Sequence, residues 1–154
     1  GCNYDLNYNL SDDYFFSKYT CVWGWATWRR SWLSYDKQIK DLKLWSTIKN
    51  FKSFREKYFW ISTFIKVYFN LYNTWAIQWV HLSLNSGYSI FPQKNLVSNV
   101  GFDEDATNTK DVNPQFKQMK AHKMENIKHP KKNNYSKERD TFIFNNVFKN
   151  AMRF

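Results

Sequence analysis

The sequence has few of the residues that break regular structure or cross-link it. Its 154 residues include only four Gly, three Pro and two Cys. So little Gly and Pro leaves few sites for sharp turns, which favours a helix-rich chain. Cys2 and Cys21 make neither a metal-ligand spacing nor a disulfide framework, so we expect free thiols.

The sequence also lacks a long apolar run and a visible leader segment. Its most apolar stretch, 58–72, is interrupted by Lys66 and Asn70 and is shorter than the roughly 20 residues that a membrane-spanning helix needs. No basic start followed by an apolar run and a small-residue cleavage site is present. We therefore expect a cytoplasmic protein, and we leave open a peripheral contact with the inner face of the membrane. Because the chain opens on Gly1 without an initiator Met, we also expect a fragment.

Aromatic side chains and positive charge are abundant. Aromatic residues make up 21% of the chain and hydrophobic residues 43%, which excludes a disordered chain and indicates one globular domain. The net charge is +10, from 23 Lys and Arg against 13 Asp and Glu. Such a charge suits the phosphates of nucleic acid, lipid or a sugar nucleotide. A drift towards AT-rich codons would produce the same composition, so charge alone does not choose among these classes.

Periodicity predicts several helices and two short strands. The strands are expected within 14–23 and 88–91, whereas 93–109 has no period and is predicted to be a loop. Helical spacing recurs in five segments: 26–35, 37–50, 51–72, 74–84 and 139–148. In the longest of these the apolar face, expected to be buried, consists of Phe54, Tyr58, Ile61, Phe64, Ile65, Tyr68 and Leu71.

The most unusual segment is 23–32, which reads Trp-Gly-Trp-Ala-Thr-Trp-Arg-Arg-Ser-Trp. Four Trp in ten residues are hard to explain as core filling alone, because indole N–H groups need partners when they are buried. One interpretation is a helix that packs its Trp face on a sheet. The other is a cleft in which the rings stack on sugar faces and Arg29 or Arg30 pairs with a diphosphate. We expect a mixture, with Trp28 and Trp32 inward and Trp23 and Trp25 at the cleft.

Four motifs follow one another in a set order. They are Tyr14-Phe15-Phe16-Ser17, the Trp-rich segment with Tyr35-Asp36 after it, Trp75-Ala76-Ile77-Gln78-Trp79, and Pro92 through Asn95-Leu96-Val97-Ser98-Asn99-Val100-Gly101-Phe102 to Ala106-Thr107. In this order they resemble the C-terminal portion of bacterial family 2 glycosyltransferases, the nucleotide-diphospho-sugar transferases sometimes labelled hemolysin-like. The resemblance covers residues 14–110, and a weaker one follows at His129-Pro130 and Asp140.

The resemblance implies a partial A-type glycosyltransferase fold, a Rossmann-like α/β fold of which this chain would be a helix-rich fragment with a few short strands. Residues 1–110 would be the acceptor-side half of the catalytic domain, and 111–154 a Lys- and Asn-rich extension ending in a helix. The intact hexosyltransferase would transfer a sugar from a nucleotide-diphospho-sugar to a glycan or lipid-linked acceptor by inverting displacement. A divalent metal, Mn or Mg, would assist the leaving diphosphate. The fragment alone should bind no cofactor and be inactive, since the family's nucleotide-binding strands and Asp-x-Asp precede its first residue.

The resemblance also implies a set of site residues. Substrate-binding candidates are Trp23, Trp25, Arg29, Arg30, Trp75, Gln78, Trp79, Asn95 and Asn99. Metal candidates are Asp103, Asp105 and Asn108. Two departures matter: Ala76 stands where many relatives carry an Asp suited to act as the catalytic base, and Asn108 where relatives usually have His. The catalytic residue is therefore unassigned.

Two other interpretations stay open. A basic aromatic module would bind single-stranded nucleic acid by stacking and phosphate contacts, whereas the transferase interpretation expects no nucleic acid. An inactive structural relative is the third interpretation, and Ala76 and Asn108 favour it.

Overall fold

The computed structural model describes residues 1–4, 6, 11–72, 75–98, 119–133 and 135–149, and these form a mixed structure of helices and one small sheet. The helices are α1 (Arg29–Leu33), α2 (Leu44–Ile48), α3 (Phe54–Tyr68), α4 (Trp75–Ser86) and α5 (Lys137–Ile143), which continues into a π-helical turn, Phe144–Phe148. The strands β1 (Tyr14–Ser17) and β2 (Ser89–Pro92) pair in antiparallel fashion. The predicted helix-rich chain with a few short strands is confirmed at this level. Within the ranges just given, no helix is long and apolar enough to cross a membrane.

The two strands bring one aromatic pair into the core. Phe15 lies opposite Phe91 in the register, and their rings stack with centroids 5.6 Å apart. Both side chains are buried, whereas Tyr14 and Phe16 on either side of Phe15 are only partly covered. This alternation is that of a strand with one face on the core. Pro92 is the last residue of β2, where the loss of one backbone donor is tolerated.

Helix α3 buries a different face from the one that its sequence predicts. Its inner side consists of Glu56, Trp60, Thr63, Phe64 and Val67. Of the predicted face only Phe64 is buried, while Phe54 and Tyr58 are 85% and 70% exposed, so that prediction is wrong. The helix carries apolar residues on two opposite sides, and periodicity alone does not choose between them.

A buried polar chain explains why the Trp60 side of α3 faces inward. The indole N–H of Trp60 donates to the hydroxyl of Tyr19 at 3.0 Å, and that hydroxyl donates to the Glu56 carboxylate. Buried polar groups are tolerated only when they are hydrogen-bonded, and Tyr19 satisfies both residues at once. Ser53 caps the helix, since its Oγ accepts from the N–H of Glu56 at 3.1 Å.

The C-terminal helix joins the same core as the earlier elements. The Phe148 ring lies 4.9 Å from that of Tyr19 and 5.0 Å from that of Trp60, between centroids. Ile143 and Met119 are also buried in this core. Residues on both sides of the expected boundary at 110 therefore share one hydrophobic cluster, and the boundary itself lies outside the described residues.

Asp140 ties α5 to β1 through its carboxylate. The Ser17 hydroxyl donates to Oδ1 at 2.6 Å and the Lys18 N–H donates to Oδ2 at 3.3 Å. Burial raises the pKa of Asp140 to about 6, although hydrogen bonds from Ser17, Lys18 and Tyr135 favour the charged form. The fold is therefore less stable when the Asp140 carboxyl is ionised than when it is protonated.

The two helices predicted within 26–35 and 37–50 are shorter than expected. Asp36 lies between them, and its carboxylate accepts the N–H of Gln38 at 2.9 Å and of Lys40 at 2.6 Å. An Asp side chain that satisfies backbone donors in this way stabilises a turn in place of helix.

Candidate functional site

A cavity of about 840 Å³ opens between the Trp-rich segment, α4 and residues 124–129. This volume lies within the range of pockets that hold small ligands. Six of the side chains on its walls are Trp25, Trp28, Arg30, Trp79, Ile127 and His129. Aromatic walls with a few polar groups are typical of a ligand site, so this cavity is the candidate site.

A close approach between Gly24 and Val97 forms one corner of the cavity. Gly24 has a φ of 52°, and a β-carbon there would overlap Cγ1 of Val97 and lie 3.1 Å from its Cβ. Leu96 and Trp25, the chain neighbours of these two residues, both line the cavity. The Trp-rich turn and the described start of the following loop, 93–98, therefore meet at one side of the site. A side chain at position 24 would push them apart.

Trp25 and Trp79 form the aromatic centre of the site. Their ring centroids are 4.7 Å apart, with the rings inclined at 64°. Trp79 also stacks on Tyr35 with centroids 5.2 Å apart, and it is only 4% exposed. Its indole N–H is buried and meets no acceptor in the described part of the chain. An unpaired buried donor costs desolvation energy, and here that cost falls on a residue that lines the cavity.

The expectation that Trp28 and Trp32 point inward is wrong. Trp28 is 54% exposed and Trp32 is 52% exposed, and α1 has no buried residue. The guanidinium of Arg30 lies 5.1 Å from the centre of the Trp28 ring, and both side chains line the cavity. This arrangement places a cation on an aromatic face at the edge of the site. Arg29 is exposed and is not among the lining residues.

Asn95 and Gln78 hold the walls in place. The Asn95 amide donates to the carbonyls of Val97 at 2.6 Å and Lys120 at 3.0 Å. The Gln78 oxygen accepts from the Tyr35 hydroxyl at 2.7 Å, and its amide donates to the Lys37 carbonyl. Both side chains are buried, and neither lines the cavity.

The remaining candidates lie away from the cavity or outside the described residues. Trp23 is half-buried, contacts Tyr4 with ring centroids 5.6 Å apart, and packs against the core. Trp75 begins α4, but its side chain is not described. Four further candidates fall outside the described ranges: Asn99, Asp103, Asp105 and Asn108.

A metal site is not seen in the part of the chain that can be described. There, no group of three or more His, Cys, Asp or Glu side chains lies together in a way that could hold a metal ion. The metal ligands implied by the resemblance therefore stay a prediction.

The wall made by residues 124–129 was missed by sequence reasoning. Tyr14 Oη and His129 Nδ1 are 3.0 Å apart, and the Lys128 N–H donates to the Asp13 carboxylate at 2.7 Å. The stretch lies in the Lys- and Asn-rich region 110–136, which has few apolar residues and no period, so it offered no pattern for a wall. The weak resemblance at His129-Pro130 was the one available signal.

Cys2 and Cys21 lie side by side at the margin of the cavity and are free thiols, as predicted. The hydrogen bond with Cys21, together with burial, raises the pKa of the Cys2 thiol. Burial opposes ionisation of Cys21, but hydrogen bonds from Cys2, Tyr4 and the Trp23 N–H outweigh it and lower the pKa of Cys21. These donors tie the start of the chain to the segment that leads into the Trp-rich turn.

Comparison with known proteins does not identify a family for this chain. No protein family, no curated protein and no solved structure matches the chain. A functional interpretation therefore depends on the motifs and on the geometry of the cavity.

Proposed function

We propose that the chain is the acceptor-side half of an A-type glycosyltransferase catalytic domain with a Rossmann-like fold. The intact enzyme would transfer a sugar from a nucleotide-diphospho-sugar to a glycan or lipid-linked acceptor, with inversion. The observation that carries the proposal is the contact of Gly24 with Val97, which brings the Trp-rich turn and the start of the following loop to one aromatic cavity. Two motifs of the resemblance, distant in sequence, thus border the same space.

The chemistry of the walls suits a sugar. The apolar faces of a pyranose ring stack on indoles, and among the lining indoles Trp28 is 54% exposed and Trp25 is partly exposed. The planar guanidinium of Arg30 is suited to phosphate oxygens at the cavity edge.

Metal binding is proposed for three residues that lie outside the described ranges. Asp103, Asp105 and Asn108 would offer oxygen ligands of the type that Mn or Mg prefers, and the metal would neutralise the charge of a leaving diphosphate. Ala76 has no proton-accepting group, so no side chain of α4 is assigned as the catalytic base.

Saturation-transfer NMR with short oligosaccharides tests the acceptor side directly. We expect transfer to the sugar protons with the unaltered chain, and at least a roughly tenfold weaker affinity for Trp25→Ala, because one stacking face is removed. Trp79→Phe should weaken binding by a smaller factor, because Trp79 is only 4% exposed on the cavity wall. Trp45→Ala is the matched control, since Trp45 is 83% exposed and does not line the cavity.

Titration with oligothymidine separates the proposal from the nucleic-acid interpretation. Binding that falls steeply with salt and is indifferent to Trp25→Ala, in a chain that binds no oligosaccharide, would contradict the transferase proposal.

A further inference from the structure

Helix α3 carries an apolar stripe on the side away from the core. Phe54, Tyr58 and Tyr68 are exposed, and Ile61 and Ile65 between them are half-buried. These positions recur every three or four residues, so they lie along one line of the helix. The stripe consists of five of the seven residues that the sequence predicted to be buried, and the structure leaves three of these exposed and two half-buried.

The stripe widens at its C-terminal end into a shallow groove. Ile65, Tyr68 and Phe69 line a hollow of about 320 Å³ together with Leu42 and Leu44 from the preceding segment. Phe69, directly after the helix, is 64% exposed. The apolar surface therefore extends beyond the helix itself.

The segment that carries the stripe and the groove is strongly basic in sequence. Residues 37–72 contain eight Lys and Arg against two acidic residues, Asp41 and Glu56. Glu56 is buried on the opposite side of α3, where it accepts from Tyr19. Arg55 and Lys66 each follow a stripe residue by one position, so both lie on the same flank of the stripe.

We propose that this surface, the α3 face, binds an anionic lipid bilayer with the helix lying in the plane of the interface. We define the α3 face as Phe54, Tyr58, Ile61, Ile65 and Tyr68 with the flanking Arg55, Lys57 and Lys66. Aromatic rings insert at the headgroup level and cations pair with anionic headgroups, which is the chemistry that this face presents. A second copy of the chain fits the face poorly, because two such basic surfaces repel each other.

This inference is independent of the proposed sugar site. None of the residues from 37 to 72 lines the cavity. A failure to bind sugars would therefore leave the lipid proposal standing, and a failure to bind lipid would leave the sugar site standing.

Vesicle co-sedimentation tests the proposal with two kinds of bilayer, phosphatidylcholine alone and phosphatidylcholine mixed with phosphatidylglycerol. We expect the chain to sediment with the anionic vesicles and to be released as salt is raised from about 0.05 M to about 0.5 M. The double variant Phe54→Ser, Tyr58→Ser should lower the partition coefficient at least about tenfold, since two aromatic contacts with the interface are lost. Arg55→Gln with Lys66→Gln should weaken binding to the anionic vesicles and leave the weak binding to neutral vesicles unchanged.

Phe142→Ser is the matched control, because Phe142 is an exposed aromatic on a different helix, α5, and is not part of the α3 face. It should partition like the unaltered chain, and thermal unfolding should show that every variant is folded. Equal partition of the Phe54→Ser, Tyr58→Ser variant and the control would overturn the proposal. So would a change of the monomer–dimer equilibrium in that variant with no change in lipid binding, which would assign the face to a second copy.

Discussion

Gly24 and Val97 are in such close contact that the structure leaves no room for a side chain between them. A β-carbon on Gly24 would overlap Cγ1 of Val97, and the positive φ of 52° at Gly24 disfavours any other residue as well. The contact joins two segments more than seventy positions apart. The shape of this corner of the cavity therefore depends on position 24 having no side chain larger than a hydrogen atom.

Gly24→Ala should lower the free energy of unfolding by about 2–4 kcal/mol, as the sum of backbone strain and the clash with Val97. Chemical denaturation measures this loss. Gly87→Ala is the control for strain without a clash, because Gly87 also has a positive φ but has nothing within 4 Å of an added β-carbon. Val97→Ala in the Gly24→Ala background should restore part of the loss. If stability does not recover, the clash with Val97 is not the cause of the stability lost in Gly24→Ala.

Tyr19→Phe should lower the free energy of unfolding by about 2–3 kcal/mol. The substitution leaves both the Trp60 N–H and the Glu56 carboxylate without the partner that they share, and both are buried. Tyr14→Phe removes a hydrogen bond to His129 at the surface and should change stability by less than about 0.5 kcal/mol. Similar losses of stability in the two variants would mean that the buried hydrogen bonds of Tyr19 contribute no more than a hydrogen bond at the surface.

Asp140 should make the protein less stable as pH rises from about 4 to about 6. Its pKa is raised from 3.8 to about 6 in the fold, so the folded state binds the proton more tightly than the unfolded state. The contribution is fully present below the unfolded pKa and is lost as pH passes the folded one. A shift of about two units corresponds to about 3 kcal/mol.

Urea denaturation across this pH range measures the effect. Asp140→Asn should flatten the decline, because Asn does not ionise, whereas Glu125→Gln at an exposed ion pair with Lys123 should leave it unchanged. If the stability of Asp140→Asn falls with pH as much as that of the unaltered chain, the pH dependence comes from other groups.

The two sides of α3 should respond very differently to truncation. Trp60→Ala should lower the free energy of unfolding by about 3–5 kcal/mol, since the ring is fully buried among Phe51, Phe64 and Phe148. Tyr58→Ala, two positions away on the exposed side, should change it by less than about 0.5 kcal/mol. Comparable losses would show that the outer side of α3 is covered after all.

Local chemistry in the chain was enough to predict the strands and the approximate helix positions, whereas it left the Trp-rich segment open between a packed helix and a cleft. Phe15 in a short apolar run marks β1, and Gly87 marks the end of α4, because these signals act within a few residues. The free state of Cys2 and Cys21 also followed from their number and spacing. Trp25 was expected at a cleft and lines the cavity.

The choice of inner face on α3 and the partners of the Trp residues were decided by contacts between distant segments. Trp60 lies inward because Tyr19 satisfies its N–H, and Tyr19 is separated from it by 41 positions. Trp32 contacts the rings of Trp79 and Tyr35, with centroids 5.8 Å and 6.0 Å apart, yet it stays 52% exposed, and Trp28 stays 54% exposed. Periodicity reports which residues share a side of a helix, but which side is covered depends on shape and hydrogen-bond partners that only the folded chain brings together.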